Sequence, residues 1–117
     1  MKILVINLKE REDRLKLFRS CNSNLDFEVV PAVDGKQVSY KRLLELGFDV
    51  AHDWIDPILN TPLTKGEVGC FLSHWRIWEK CIARNEKVLV LEDDARLTEQ
   101  FNYEEINQLS ETYDFLY

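Results

Sequence analysis

Val88-Leu89-Val90-Leu91 is a run of four apolar, mostly branched residues that runs directly into three acids, Glu92-Asp93-Asp94. Such a run reads as a strand covered on both faces, the situation of a strand in a parallel sheet packed between helices. Its acidic tip cannot share that burial. Unpartnered carboxylates are costly away from water, so the three acids belong at the strand's exit, in solvent or around a cation. In open α/β sheets that exit is where ligands bind.

The rest of the chain supplies the alternation such a sheet requires. Ile3 to Leu8 is an apolar, β-branched run and reads as the first strand. Arg11 to Ser20 carries Leu15 and Phe18 on one face, as a short amphipathic helix does. Phe27 to Val30 is a second strand closed by Pro31, and Asp34-Gly35 signals a turn. Tyr40 to Leu46 predicts a helix stopped by Gly47, and Phe48 to Pro62 a long loop. Thr64 and Glu67 form a capping box. Behind it Val68, Phe71, Trp75, Trp78 and Ile82 recur at steps of three and four, which marks the longest helix, ending near Asn85. Glu104 to Leu109 predicts one more helix, and Asp114 to Tyr117 the start of a strand. Strands alternating with helices imply an α/β fold with a mostly parallel sheet. The 117 residues make one domain; stopping inside an apolar run, they end either on an edge strand or short of a C-terminal half.

Composition excludes several classes. A net charge of -6 offers no basic patch for nucleic acid. Three widely spaced cysteines, Cys21, Cys70 and Cys81, support neither a disulfide framework nor a zinc site. Cys70 and Cys81 read as small core residues of the long helix. With no signal peptide and no apolar stretch of membrane-spanning length, a reducing, cytoplasmic location is expected. The oligomeric state is not readable.

Four places can carry chemistry. On an extended chain Glu92 and Asp94 face one side and Asp93 the other, so Glu92 and Asp94 can supply hard oxygen ligands to Mg²⁺ or Mn²⁺; the alternative is a solvated acidic turn. Asn7 and Leu8, followed by Arg11 and Arg14 at a helix start, put donors at another strand's exit, without the glycine-rich loop of a dinucleotide or P-loop site. Asp34 is either a turn residue or a partner for a ribose hydroxyl. Ser73 and His74 lie off the main apolar stripe of the long helix, while Glu67, Cys70, His74 and Cys81 flank it at helical spacing. On this pattern alone His74 is a structural hydrogen-bonder. His52, Asp53 and Asp56 are read as loop polarity. A receiver domain also begins with an acid-tipped strand, but only 23 residues follow Asp94, and none forms an apolar strand ending in Asp. Adjacent strand-end acids also cannot flank a glycosidic bond as a hydrolase needs.

Taken in order, Val5-Ile6-Asn7-Leu8 with Arg11 and Arg14, Ala32-Val33-Asp34-Gly35, Leu63-Thr64 through Glu67-Val68-Gly69-Cys70 to Ser73-His74 and Trp78, and Leu91-Glu92-Asp93-Asp94 resemble glycosyltransferase family 25. That family includes lipooligosaccharide and collagen β-galactosyltransferases. The resemblance covers essentially the whole chain, but only the N-terminal, donor-side half of a typical family domain. It implies a Rossmann-like, A-type glycosyltransferase fold and metal-dependent transfer of a hexose, commonly galactose, from a UDP-sugar to a glycan or hydroxyl acceptor. Glu92 and Asp94 would hold the Mn²⁺ or Mg²⁺. Asn7, Leu8, Arg11, Arg14, Asp34, Ser73, His74 and Asp93 would line the donor, and His74 thereby moves from structural residue to donor contact. No general base is identified. The alternative is a non-catalytic module that binds nucleotide sugar, or a degenerate relative without transfer activity.

Overall fold

The computed structural model describes residues 1–51 and 53–116; His52, and Tyr117 at the end of the expected last strand, lie outside the described residues. Three parallel strands, β1 (Lys2–Asn7), β2 (Glu28–Pro31) and β3 (Val88–Glu92), form one sheet in the order β2-β1-β3. Helix α1 (Glu12–Cys21) joins β1 to β2. A 3-10 turn (Gly35–Gln37), α2 (Tyr40–Glu45) and the 20-residue α3 (Lys65–Arg84) lead from β2 to β3, and α4 (Tyr103–Leu109) follows. The chain is therefore α/β with helices flanking a parallel sheet, consistent with an A-type glycosyltransferase fold. No helix among the described residues is long and apolar enough to cross a membrane.

The central strand is β1. Leu4 to Asn7 pair with Glu28 to Pro31 on one side, and Lys2 to Ile6 pair with Val88 to Glu92 on the other. Its Ile3, Val5 and Ile6 are buried, and they form the core with Phe18 of α1, Leu43 of α2, and Leu72 and Ile77 of α3. Phe18 meets Phe27 edge-on at 5.0 Å. Val88 to Leu91, expected to be covered on both faces, are only half-buried. The reason is position: among the described residues β3 pairs on one side only, so full coverage falls to β1 instead.

The helix ends follow their local chemistry. Thr64 and Glu67 close the capping box in both directions, and Asn85 ends α3 in the left-handed conformation (φ 51°). Ser39 caps α2 through the Arg42 N–H, and Gly47 (φ 88°) follows its end. The loop beyond holds one isolated antiparallel bridge, Ile55 with Pro62. Asp114 to Leu116 form no strand.

Helix α3 uses a different face from the one its bulky residues mark. Its buried residues are Gly69, Leu72, Ser73 and Ile77, whereas Phe71, Trp78 and Ile82 are exposed. Small residues decide the packing. A Cβ on Gly69 would lie 2.6 Å from the Val33 carbonyl oxygen and 2.7 Å from the Gly35 nitrogen; one on Gly35 would lie 1.7 Å from the Lys65 carbonyl oxygen. The first turns of α3 thus touch the segment after β2 backbone to backbone, which only glycine permits. The aromatic stripe is met from outside instead, by Phe48 edge-on to Phe71 and Trp75, and by Phe115 on Trp78. Cys70 on this helix is exposed and Cys81 half-buried, so neither is the core residue expected.

Candidate active site at the carboxyl ends of the strands

All three strands run the same way, so Asn7, Pro31 and Glu92 end at one edge of the sheet. The chain passes from β1 to β2 on one side and then crosses to β3 on the other. The crevice between β1 and β3 is therefore the point where strand order reverses, the usual place for a ligand in such sheets. The residues found there are Asn7 and the acidic trio. A larger cleft, about 720 Å³, lies at the opposite, amino end of the strands, between Met1, Asn24, Phe27 and Phe101. Its lining includes Lys2, Cys21, Asp26 and Glu28, at the end of the strands away from the acidic trio. The strand-end hollow is smaller, about 90 Å³, lined by Arg14, Leu17, Asp93, Asp94 and Arg96 among others.

Asp93 is the anchor of this edge. It is 7% exposed, accepts a 2.7 Å hydrogen bond from Asn7 Nδ2, and pairs with Arg14 Nη2 at 2.5 Å. The Asn7 amide also donates to the Arg11 carbonyl at 3.0 Å, fixing the loop into α1. Arg14 Nη2 lies 2.9 Å from Asp94 Oδ2 as well, so one guanidinium spans both aspartates. A buried carboxylate with these two partners meets the condition for burying a charge.

The trio does not divide as strict alternation predicts. Glu92 turns toward α3, with the Cys70 thiol donating to its Oε1 at 3.3 Å and His74 Nε2 at 3.2 Å, while Asp93 and Asp94 share Arg14 on the α1 side. The strand ends at Glu92 and the chain turns at once, with the Ala95 N–H donating to the Glu92 carbonyl at 3.0 Å, so the two-residue period does not extend through Asp94. Desolvation and the neighbouring Glu92 carboxylate push the Cys70 thiol up to about 11, which keeps it protonated as a donor.

Four other expected donor contacts hold local structure. Ser73 is 3% exposed; its hydroxyl accepts from the Val33 N–H at 2.8 Å and donates to the Gly69 carbonyl at 2.7 Å, so it clamps the segment carrying Asp34 rather than opening onto the crevice. Asp34 Oδ1 accepts from the Lys36 N–H and caps the 3-10 turn. Arg11 spends Nε and Nη2 on the exposed Asp13, whose carboxyl it holds down at about 2. Leu8 is half-buried, and its carbonyl accepts from the Arg11 N–H. Asp53 is exposed, and Asp56 caps its own loop through the Ile58 and Leu59 N–H groups, in keeping with loop polarity.

Two residues with structural roles had little or no sequence signal. Cys70 is the partner of Glu92; its four-residue spacing from His74 is the one clue. Asn22, in a stretch that reads as plain turn, is buried and ties α1 to the segment after β3, donating to the Phe18 and Ala95 carbonyls and accepting from the Leu97 N–H.

The model of glycosyltransferase family 25 (LPS biosynthesis protein) matches residues 1–117. This chain belongs to glycosyltransferase family 25. It is 48% identical over 102 residues to a glycosyltransferase 25 family member of Aedes aegypti, covering 85% of this chain and 17% of that protein. It is 42% identical over 102 residues to procollagen galactosyltransferase 2 of Homo sapiens, covering 85% of this chain and 16% of that one. With a family member of Drosophila melanogaster the identity is 37% over 124 residues, 99% of this chain and 20% of the relative. The family 25 chain thus spans a fifth or less of the length of these relatives.

For a hard divalent cation, the donor chemistry at the edge fits: the Glu92 and Asp94 carboxylates are 48% and 68% exposed. They do not converge on one point in this arrangement, because Arg14 holds Asp94 while Cys70 and His74 hold Glu92.

Proposed function

We propose that this chain forms the donor-binding part of a glycosyltransferase that moves a hexose, galactose by the names of its relatives, from a UDP-sugar to a glycan or hydroxyl acceptor with Mn²⁺ or Mg²⁺. The observation that carries this reading is the placement of Glu92, Asp93 and Asp94 beside Asn7 and Arg14 at the strand-order reversal. Asp94, the most exposed acid of the three, is the principal cation ligand, with Glu92 assisting. A cation bound there would offset the negative charge that gathers on the diphosphate as the sugar leaves. Arg14 sits within reach of the same region and adds positive charge once it releases Asp94. Asp93 acts as a positioning residue that keeps Asn7 and Arg14 in place. Ser73 and the glycine contact behind it position the turn at Asp34, which faces the nucleotide's ribose in this reading.

Calorimetric titration of the chain with UDP tests the proposal. Binding is expected only with Mn²⁺ or Mg²⁺ present, and Asp94→Ala is expected to abolish it. Equal binding without metal would sink the role given to the acids. Labelled UDP-galactose then separates transfer from binding: clear UDP binding with no hydrolysis or transfer would favour a non-catalytic nucleotide-sugar-binding module.

A further inference from the structure

Cys70, His74 and Glu92 present one sulfur, one nitrogen and one oxygen donor, all within 4.8 Å of one another. Cys70 and His74 are four residues apart on α3, so they share a face, and Glu92 meets them from the tip of β3. This mixed donor set differs in kind from the carboxylate pair proposed for the sugar diphosphate. Hard cations select oxygen, whereas thiolate and imidazole select zinc and its borderline neighbours.

The spacing carries the argument further. Zinc bonds of ~2.3 Å to sulfur and ~2.0 Å to nitrogen and oxygen, set at tetrahedral angles, separate sulfur from oxygen by about 3.5 Å and nitrogen from oxygen by about 3.3 Å. The observed separations are 3.3 Å for Cys70 Sγ to Glu92 Oε1 and 3.2 Å for His74 Nε2 to the same oxygen. Two elements therefore hold Glu92 Oε1 at ligand spacing from each of the other two donors without a metal, with all three inside 4.8 Å of one another. Cys70 and Glu92 are exposed, which leaves a fourth position open to water or to a substrate oxygen.

We propose that Cys70 Sγ, His74 Nε2 and Glu92 Oε1 form a binding site for a thiophilic divalent cation of the zinc class. On binding, the Cys70 thiol gives its proton to solvent and the sulfur becomes a ligand. Glu92 is shared with the hard-cation position at Asp94, so zinc draws it away and opposes Mn²⁺-dependent nucleotide binding. The site itself goes beyond the donor-binding reading and is measured without nucleotide, so either can fail alone.

The test is a Co²⁺ titration of the full chain followed by absorption, with Zn²⁺ then added. A thiolate-to-cobalt charge-transfer band with intense tetrahedral visible bands is expected, both erased by zinc. Cys70→Ser should abolish the charge-transfer band, whereas the double variant Cys21→Ser, Cys81→Ser should retain it. His74→Ala and Glu92→Gln should each weaken zinc binding by more than about tenfold. Weak, octahedral-type bands in the parent chain, or an unchanged spectrum in Cys70→Ser, would overturn the proposal. Circular dichroism checks each fold, and Glu92→Gln, at an exposed side chain, decides the matter if Cys70→Ser does not fold: unchanged zinc affinity there refutes the site.

Discussion

Replacing Gly69 by alanine should destabilise the protein, although the same change in most helix interiors stabilises it. Alanine is favoured over glycine in a helix by about 1 kcal/mol. Against that gain, the new methyl would stand 2.6 Å from the Val33 carbonyl oxygen and 2.7 Å from the Gly35 nitrogen, where ordinary contact begins at 3.4 Å. Both neighbours are backbone, so no side chain can swing aside. Helix α3 or the segment at Val33 must retreat by several tenths of an ångström, an overpacking cost of about 2–3 kcal/mol. The net effect is a loss of about 1–2 kcal/mol. Gly66 provides the control on the same helix: its added Cβ would meet only Thr64 Oγ1, at 3.7 Å. Gly66→Ala should therefore stabilise by about 0.5 kcal/mol, reduced from the full value because the position lies in the first turn. Urea unfolding followed by tryptophan fluorescence measures both variants, read as a shift in midpoint at constant slope. If Gly69→Ala matched or exceeded the parent in stability, the backbone-to-backbone contact between α3 and the Asp34 turn would be refuted.

The two aspartates should separate stability from binding. Asp93→Ala removes a buried, charge-assisted hydrogen bond and should cost about 2–3 kcal/mol in chemical denaturation, while Asp94→Ala, at a largely exposed side chain, should stay within about 0.5 kcal/mol of the parent. Glu67 should confer an acid-sensitive contribution to stability. Its pKa is lowered from the usual 4.5 by hydrogen bonds from the Thr64 N–H and hydroxyl, so its contribution is present above that value and lost as pH falls through the lower one. Melting temperatures from pH 7 to about pH 3 should show the parent's advantage over Glu67→Gln shrinking across that window.

What could be read in advance was what short-range chemistry decides. The capping box at Thr64 and Glu67, the glycine stop at Gly47, the end of the long helix near Asn85 and the apolar runs of β1 and β3 each carry their signal within a few residues. The parallel sheet follows from the alternation of those elements. What could not be read depends on residues distant in sequence. The buried face of α3 is set by where Gly69 can touch Val33, which periodicity cannot register because it weighs bulk. Val88 to Leu91 look fully buried until it is known that β1 takes the centre. The division of the acidic trio depends on Arg14 on one side, and on Cys70 and His74 on the other.

Arg14, bridging Asp93 and Asp94, bears on how the two ligands of the donor-binding reading depend on each other. A cation arriving alone at Asp94 only exchanges one positive partner for another and leaves Arg14 with Asp93 as its one remaining carboxylate of the pair, so its affinity should be slight. A diphosphate arriving with it offers the displaced Arg14 a new anion. Each ligand then removes an obstacle to the other, which is positive cooperativity, and linkage makes the enhancement equal in both directions. In the donor-binding reading, the Asp94 position should therefore take up its hard cation and the diphosphate as a pair.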